Sequence, residues 1–423
     1  MSILNVNKIN PVGGGSTITI AGIASVTSSV TAPSFVGSVT GDVTGNVTGD
    51  ATGLSGNPSI NTTGIVTATS FVPTVGQLSH RNLIINGDMK ISQRGTSFAD
   101  PANGSYTLDR FDIQNSSGTP AFTVTQDTDA PHGFNNSLKV ACTTADASPA
   151  SGSFSRIRHT IEAQDLQPLA KGTSSAKAST LSFYVKTNKT GVYTVFVYDD
   201  DNNRMFSASY TVSDTNWNRY TIIIPADTTG AINDDNGAGF VIHWGLSLGS
   251  NRTSGSLAST WATYSTDNEH VGNVNFADNT SNVWAITGVQ LEVGSVTTPF
   301  EHRSFGDELA RCQRYFYRMQ NGSSGSYWIG HTSSYGGNNN IMMIYLPVCM
   351  RDNPSFSTSG TASHFQVWGN STVENLSNLP VLRSSNGVNP SVVAIDITHN
   401  ITTGHTRIVR MGSQAYIEFS AEL

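Results

Sequence analysis

The sequence predicts a mainly β, elongated protein, and three observations carry that expectation. Charged residues make up only 13% of its 423 positions, roughly half the share usual in globular domains. Gly, Ser, Thr and Asn take their place, and these residues compete with helix and favour turns and extended chain. Apolar–polar alternation of period two then recurs through most of the chain, broken by Asp, Asn, Gly and Ser turns, while helical period is nearly absent. Finally, the stretch Gly37-Ser-Val-Thr-Gly-Asp-Val-Thr-Gly-Asn-Val-Thr-Gly-Asp-Ala-Thr-Gly53 returns glycine at every fourth residue.

Four is an even period, so an extended chain keeps each residue type of this repeat on one face. Val39, Gly41, Val43, Gly45, Val47 and Gly49 line one side; Thr40, Asp42, Thr44, Asn46, Thr48 and Asp50 line the other. A single strand has nothing against which to bury so narrow an apolar stripe. Several copies wound about one axis would bury it, with glycine allowing close backbone approach; a flexible Gly/Thr linker is the other reading. Val30-Thr-Ala-Pro-Ser-Phe-Val36 recurs as Val66-Thr-Ala-Thr-Ser-Phe-Val72 and brackets the repeat. Such short-period repetition points to a quasi-one-dimensional shaft over residues 30–79. Before it, residues 1–29 carry Ile3-Leu-Asn-Val6 and a Gly13-Gly-Gly-Ser16 turn, suited to a small docking element.

Composition changes near Leu78. Strands are expected at Tyr106–Ile113, Phe122–Thr125, Ser137–Cys142, Phe154–Ile161, Leu181–Val185, Val192–Tyr198, Met205–Val212, Arg219–Ile224, Phe240–Trp244 and Val283–Val293. That set, over residues 80–303, reads as a β-sandwich of jelly-roll type. A helix follows within 304–316: Ser304 can cap it, Asp307 stands at the capping-box position, and Leu309, Cys312 and Phe316 share a face. Residues 317–423 form a further β region, with strands expected at Tyr327–His331, Ile341–Leu346, Phe365–Trp368, Val392–Ile397, Thr406–Arg410 and Ala415–Ser420.

The net charge of −7 supplies no basic footprint for nucleic acid or anionic membranes, and no apolar run is long enough to span a bilayer. The N-terminus lacks a basic stretch leading into an apolar core, so no secretory signal is expected. Cys142, Cys312 and Cys349 are odd in number and widely spaced, and they read as reduced, buried thiols of a protein made in a cytosol.

Three pieces of the chain resemble tail-fibre proteins of marine tailed bacteriophages, cyanophages among them. They are the Val-Thr-Gly-Asp/Asn repeat with its flanking Val-Thr-Ala-x-Ser-Phe-Val copies; Arg81-Asn-Leu-Ile-Ile-Asn-Gly-Asp-Met-Lys-Ile-Ser-Gln-Arg-Gly95 followed by Tyr106-Thr-Leu-Asp-Arg-Phe111; and Gln290-Leu-Glu-Val-Gly-Ser-Val-Thr-Thr-Pro-Phe-Glu-His-Arg-Ser304 with Asp307-Glu-Leu-Ala-Arg-Cys-Gln-Arg-Tyr315. The resemblance implies a homotrimeric virion fibre assembled in the bacterial host cytoplasm. Its N-terminus would join other tail or baseplate proteins, and its distal end would contact a host cell-surface glycan or outer-membrane receptor. It also implies a middle domain similar to carbohydrate-binding modules. A head- or neck-attached fibre without a receptor role, and a glycan-degrading tailspike, are the alternatives.

No nucleophile elbow, zincin helix, phosphate loop or Cys/His cluster is present, so no catalytic residue, cofactor or metal is assigned. A tailspike would need two carboxylates across a cleft; Glu162 with Asp165, or Glu301 with Asp307 and Glu308, are the pairs available, and strand-loop and helix-start charges explain them equally well. Asp199-Asp-Asp-Asn-Asn203 offers clustered oxygens but lacks the Gly and bidentate Glu of a calcium loop, and reads as a hairpin turn. Sugar rings are held by aromatic faces flanked by amide and hydroxyl groups. The C-terminal tip supplies Tyr327, Trp328, His331, Tyr335, Asn338, Phe365 and Trp368 as candidate glycan contacts, with Trp244, Trp261 and Tyr264 as sandwich candidates.

Overall fold

The computed structural model describes residues 79–423 apart from 117–119, 322–324, 326, 337–338, 370, 384–389, 400, 402–404 and 414. The expected attachment segment and all but the last residue of the expected shaft lie outside the described residues.

Thirteen strands build the first β region: β1 Ser97–Ala99, β2 Ser105–Tyr106, β3 Phe111–Asn115, β4 Ala121–Asp127, β5 Ser137–Thr144, β6 Phe154–Glu162, β7 Ser179–Thr187, β8 Gly191–Asp199, β9 Arg204–Val212, β10 Asn218–Ile224, β11 Ala238–Leu248, β12 Ala262–Thr263 and β13 Val283–Val293. They form two antiparallel sheets, in the orders β1-β4-β5-β13-β7-β10 and β12-β9-β8-β11-β6-β3-β2. The facing sides share one core containing Phe122, Val140, Phe183, Tyr193, Val195, Phe240, Trp244 and Trp284. Period two is why. Along β8, Tyr193, Val195 and Val197 enter that core while Thr194, Phe196 and Tyr198 point to the sheet's other face.

Helix α1 spans Phe305–Gln313, and the Ser304 hydroxyl accepts from the Asp307 amide as the capping pattern predicts. Then come β14 Phe316–Gln320, β15 Tyr327–Gly336, β16 Asn339–Tyr345, β17 Ser355–Thr358, β18 Phe365–Gly369, β19 Thr372–Asn375, β20 Val381–Leu382, β21 Val392–Thr398, β22 Thr406–Met411 and β23 Tyr416–Ser420. A three-stranded sheet (β14-β23-β17) covers one side of a seven-stranded sheet (β19-β18-β22-β15-β16-β21-β20). Met342, Phe365, Val393, Ile395, Val409, Met411, Ile417 and Phe419 form the core between them.

The chain is mainly β, as the composition indicates, and one expected strand is corrected. Tyr106–Ile113 is two strands separated by a tight turn, in which Arg110 takes φ +69°. The turn drives the Arg110 side chain inward, where it is 1% exposed. Its guanidinium lies 3.4 Å from the centroid of the Tyr315 ring, ion-pairs with Glu422, and donates to the Thr160 carbonyl at 2.7 Å. Around it, Arg94 stacks on Phe316 at 3.5 Å and reaches Glu422 at 3.0 Å. Tyr106 donates to the Leu423 carbonyl at 2.6 Å. Glu162 receives Arg314 through two bonds of 2.7 Å and the Tyr315 hydroxyl at 2.5 Å. Burial pushes the Glu162 carboxyl up, but these donors outweigh it and hold it below the ordinary range. The first β region, the helix end and the last residues of the chain are therefore joined through one buried ionic cluster.

Of the carboxylates weighed for hydrolysis, Glu301 and Glu308 are held in the same framework as Glu162. Glu308 accepts from the Asn86 amide at 2.5 Å, and Glu301 accepts from the Asn82 amide at 2.9 Å. Cys142 and Cys312 are buried free thiols; Cys349 is exposed, contrary to expectation, in the loop between β16 and β17. Asp199-Asp-Asp-Asn-Asn203 is the β8–β9 turn, and Lys171 pairs with Asp199 at 2.5 Å.

Removing one member of a buried ion pair leaves the other unpaired, which typically costs about 3–5 kcal/mol. Arg110→Met should therefore lower unfolding free energy by about that amount in urea titration. Arg110→Lys should also destabilise, because an ammonium cannot reproduce the planar stack on Tyr315 together with the pair to Glu422. An unchanged midpoint for both variants would show that the cluster does not hold the regions together.

Candidate functional site

The outward face of the sheet β12-β9-β8-β11-β6-β3-β2 carries a cleft of about 300 Å³ lined by Gln114, Arg156, Arg158, Phe196, Tyr198, Asp200, Val241, His243, Tyr264 and Glu269. Strand alternation supplies most of it. Register places Asp112 opposite Arg158 and His243 opposite Arg158 and Phe196, so β3, β6, β11 and β8 present one row across the sheet. Tyr264 and Glu269 come from the long connection between β12 and β13, which folds back over the same face.

That connection is pinned by short polar contacts. Thr194 on β8 meets His270 Nδ1 at 2.8 Å through its hydroxyl, and its amide donates to Asn273 at 2.9 Å. Gly245 lies beneath, where an added Cβ would come within 2.8 Å of both Asn273 Oδ1 and His270 Nδ1. The strand shifts register there, as expected where backbone must approach closely.

Aromatic rings form the floor and one wall. His243 stacks on Phe196 at 5.1 Å with planes 11° apart. Tyr264 lies 6.1 Å from Phe196 and 5.2 Å from Tyr198. Polar groups ring them: Arg158 grips Asp112 at 2.8 and 3.1 Å, Arg156 and Arg252 share Glu269, and Tyr264 donates to Glu269 at 2.7 Å. Asp200 stands exposed at the rim, its carboxyl raised by burial and by the neighbouring Asp201 and Asp199. Among the described residues, His243 Nδ1, Arg156 Nε and Arg252 Nε are buried without hydrogen-bond partners. The result is a trough in which half-buried Tyr198 and Tyr264 stand over buried Phe196 and His243, bordered by donors and acceptors and able to grip a ring-shaped polar ligand.

The sequence-predicted contacts fall elsewhere. Phe365 is corrected: it lies in the C-terminal core at 0% exposure, because it shares the inward face of β18 with Val367. Tyr327, Trp328 and Trp368 are exposed, and so is His331 on β15. Trp328 and Trp368 stand edge to face, 5.3 Å apart at 83°. Tyr335 belongs to β15, and Asn338 lies outside the described residues. On the sandwich, Trp244 is wholly buried, Trp261 is half-buried and donates to the Pro225 carbonyl at 2.8 Å, and Tyr264 alone of the three lines the cleft. Phe196, Tyr198 and His243 are missed because each sits in a strand whose alternation is equally consistent with a solvated outer face. Among the described residues no group of three His, Cys, Asp or Glu side chains could hold a metal ion.

No family model and no curated protein matches the sequence. Solved structures with a similar chain path include a protein described as sugar-binding from Bacteroides thetaiotaomicron, 13% identical, spanning 50% of this chain and 100% of its own, at a TM-score of 0.29. A family 11 carbohydrate-binding module from Clostridium thermocellum, in complex with a β-1,3-1,4-mixed-linked tetrasaccharide, is 12% identical over 49% of this chain and 98% of its own, at 0.25. A tandem pair of family 22 modules from Paenibacillus barcinonensis is 10% identical over 79% and 92%, at 0.24. Likenesses this weak do not bear on the assignment, which rests on the chain's own geometry.

Burial, and then the nearby cations, hold three histidines well below their ordinary pKa: Arg110 acts on His159, and Arg156 acts on His243 and His270. All three stay neutral in the folded protein. In the unfolded chain they protonate near pH ~6.5, so the unfolded state binds the extra protons and gains on acidification. Stability should be fully present above about pH 6.5 and fall as pH drops below it, by up to about 1.4 kcal/mol per pH unit for each histidine. Urea midpoints between pH 7.5 and 5.5 measure this, and His243→Gln should flatten the slope by one histidine's share.

Proposed function

We propose that the chain is a non-enzymatic glycan-binding protein that holds a saccharide in the cleft formed by Phe196, Tyr198, His243 and Tyr264. The observation that carries this reading is the cleft's composition. Adjoining aromatic rings line it, and guanidinium and carboxylate groups stand at its border. A pyranose has an apolar ring face and an equatorial rim of hydroxyls, and each needs one of those two kinds of group. Carboxylates alone would suit a cation, and rings alone a hydrophobe.

The wider biological setting belongs to the same proposal. The chain serves as a homotrimeric fibre protein of a tailed-phage virion, attached through its N-terminal region to other tail proteins, and the bound saccharide belongs to the bacterial host surface. The shaft-like repeat and the sequence resemblance support this part. Hydrolysis is disfavoured because Glu162, Glu301 and Glu308, one or more of each set considered for it, are engaged by arginines and backbone amides in the framework. Labelled antibodies against the chain should decorate the tail fibres of phage particles; decoration of the head alone would refute the tail assignment.

Glycan binding is checked by native electrophoresis of the full chain through gels containing neutral or acidic soluble polysaccharides. At least one polysaccharide should retard the protein. Loss of one stacked ring is worth about 0.5–1.5 kcal/mol, so Tyr198→Ala and Tyr264→Ala should each weaken retardation about two- to tenfold. Trp328→Ala should leave it unchanged. Retardation abolished by Trp328→Ala but not by Tyr264→Ala would move the site to the C-terminal β region.

A further inference from the structure

The charges around the cleft are unevenly spread along it. Register sets Arg156 on β6 opposite Gly245 of β11, while the Asp200 amide donates to the Gly239 carbonyl. Six residues of strand at about 3.4 Å each put these two positions about 20 Å apart along the backbone, so Arg156 and Asp200 hold opposite ends. The Gly245 end is the enclosed one, with His270 and Asn273 of the β12–β13 connection close over it. Asp200 stands exposed at the other end. Between them Arg158 is neutralised by both carboxylate oxygens of Asp112, and His243 is uncharged.

At the enclosed end two cations share one anion. Arg156 and Arg252 both donate through Nη1 to the same oxygen of Glu269, Oε2, and the Tyr264 hydroxyl takes Oε1 at 2.7 Å. Glu269 is 1% exposed and Arg156 9%. A guanidinium carries five N–H donors, yet each of these arginines has a buried Nε with no partner among the described residues. Burial, and then the positive Arg252 beside it, pull Arg156 down to about 10 in spite of Glu269. A guanidinium so incompletely neutralised, in a recess poor in water, attracts a negative group more strongly than one at the surface would.

We infer that the saccharide held in the cleft is acidic, its carboxylate or sulfate group seated against Arg156 at the Gly245 end, in the field of Arg252. This deepens the glycan-binding reading of the cleft and rests on it. A carboxylate can take two parallel bonds from one guanidinium, and a sulfate ester presents the same negative oxygens. Tyr198 and Tyr264 serve the apolar face of the ring, and Asp200 at the far, solvated end accepts from a hydroxyl. The chain as a whole repels polyanions, because its net charge is −7. Capture of an acidic glycan therefore needs a local cationic site of this kind.

The test is native electrophoresis of the full chain in gels of polygalacturonate, alginate and a sulfated galactan, each run beside its carboxyl-reduced or desulfated counterpart. At least one acidic polymer should retard the chain, and its neutral counterpart should do so at least tenfold less; the carboxylate and sulfate gels tell the two anions apart. Tyr264→Ala should weaken the acidic retardation, and Arg156→Gln with unchanged circular dichroism should weaken it at least tenfold. Equal or stronger retardation by the neutral member of every pair, sensitive to Tyr264→Ala, would overturn the acidic assignment and leave the glycan-binding cleft standing. No retardation in any gel would overturn both. Acidic retardation that survives in a folded Arg156→Gln variant would also overturn the assignment. Should that variant not fold, acidic retardation indifferent to Tyr264→Ala would overturn it instead.

Discussion

The rest of the described structure depends on where the Arg110 guanidinium can go. A tight turn with φ +69° points it inward, and once buried it must be neutralised and stacked. Glu422 neutralises it and Tyr315 supplies the stacking face, so the end of helix α1 and the last residues of the chain are drawn onto the first β region. Neighbouring groups obey the same requirement: Arg94 shares Glu422, Tyr106 reaches Leu423, and Glu162 is held by Arg314 and Tyr315. Apolar contact is modest here, with Ile85, Ile91, Cys312 and Tyr315 forming a small core of their own. The ionic cluster therefore fixes which surfaces meet, while the two large cores on either side provide most of the burial.

Period-two alternation then assigns different work to the two outward sheet faces. On the first β region the outward row is Phe196, Tyr198, His243, Arg156 and Arg158, roofed by a connection that Thr194 and Gly245 let settle closely. Rings and ions there alternate over a few ångströms and leave a trough. On the C-terminal sheet the outward rows mix exposed Val373, Trp368, Trp328, Met343 and Tyr345 with His331, Gln366 and Arg410. The first face gathers half-buried rings and ions into a cleft, whereas the aromatics of the second stand exposed on the sheet.

That contrast explains what could be read from the residues. Strands with strict alternation and clear turn residues are legible: Val283–Val293 is found at the expected bounds, and Ser304 caps the helix as its spacing requires. The division of Tyr106–Ile113 is not, because nothing local marks Arg110 for a left-handed turn; its partners lie some 200 and 312 positions away in Tyr315 and Glu422. The strands β14, β17 and β19 are short or polar, and they exist by pairing with distant neighbours. The cleft was legible only in Tyr264. Phe365 and Trp368 look alike in sequence, yet an odd separation of three residues puts one in the core and the other outside. Whether an aromatic faces ligand, partner or core depends on which layer covers its sheet, and that is a property of the assembled fold.

Hydrogen–deuterium exchange of the full chain with and without a retarding polysaccharide tests the central claim most directly, because it reports the contact surface without altering any residue. The cleft account predicts slowed exchange in residues 196–200, 241–245 and 262–270 on saturation, with 327–345 and 365–373 unchanged. Slowed exchange confined to 327–345 and 365–373 would contradict it and return the glycan to the C-terminal aromatic face.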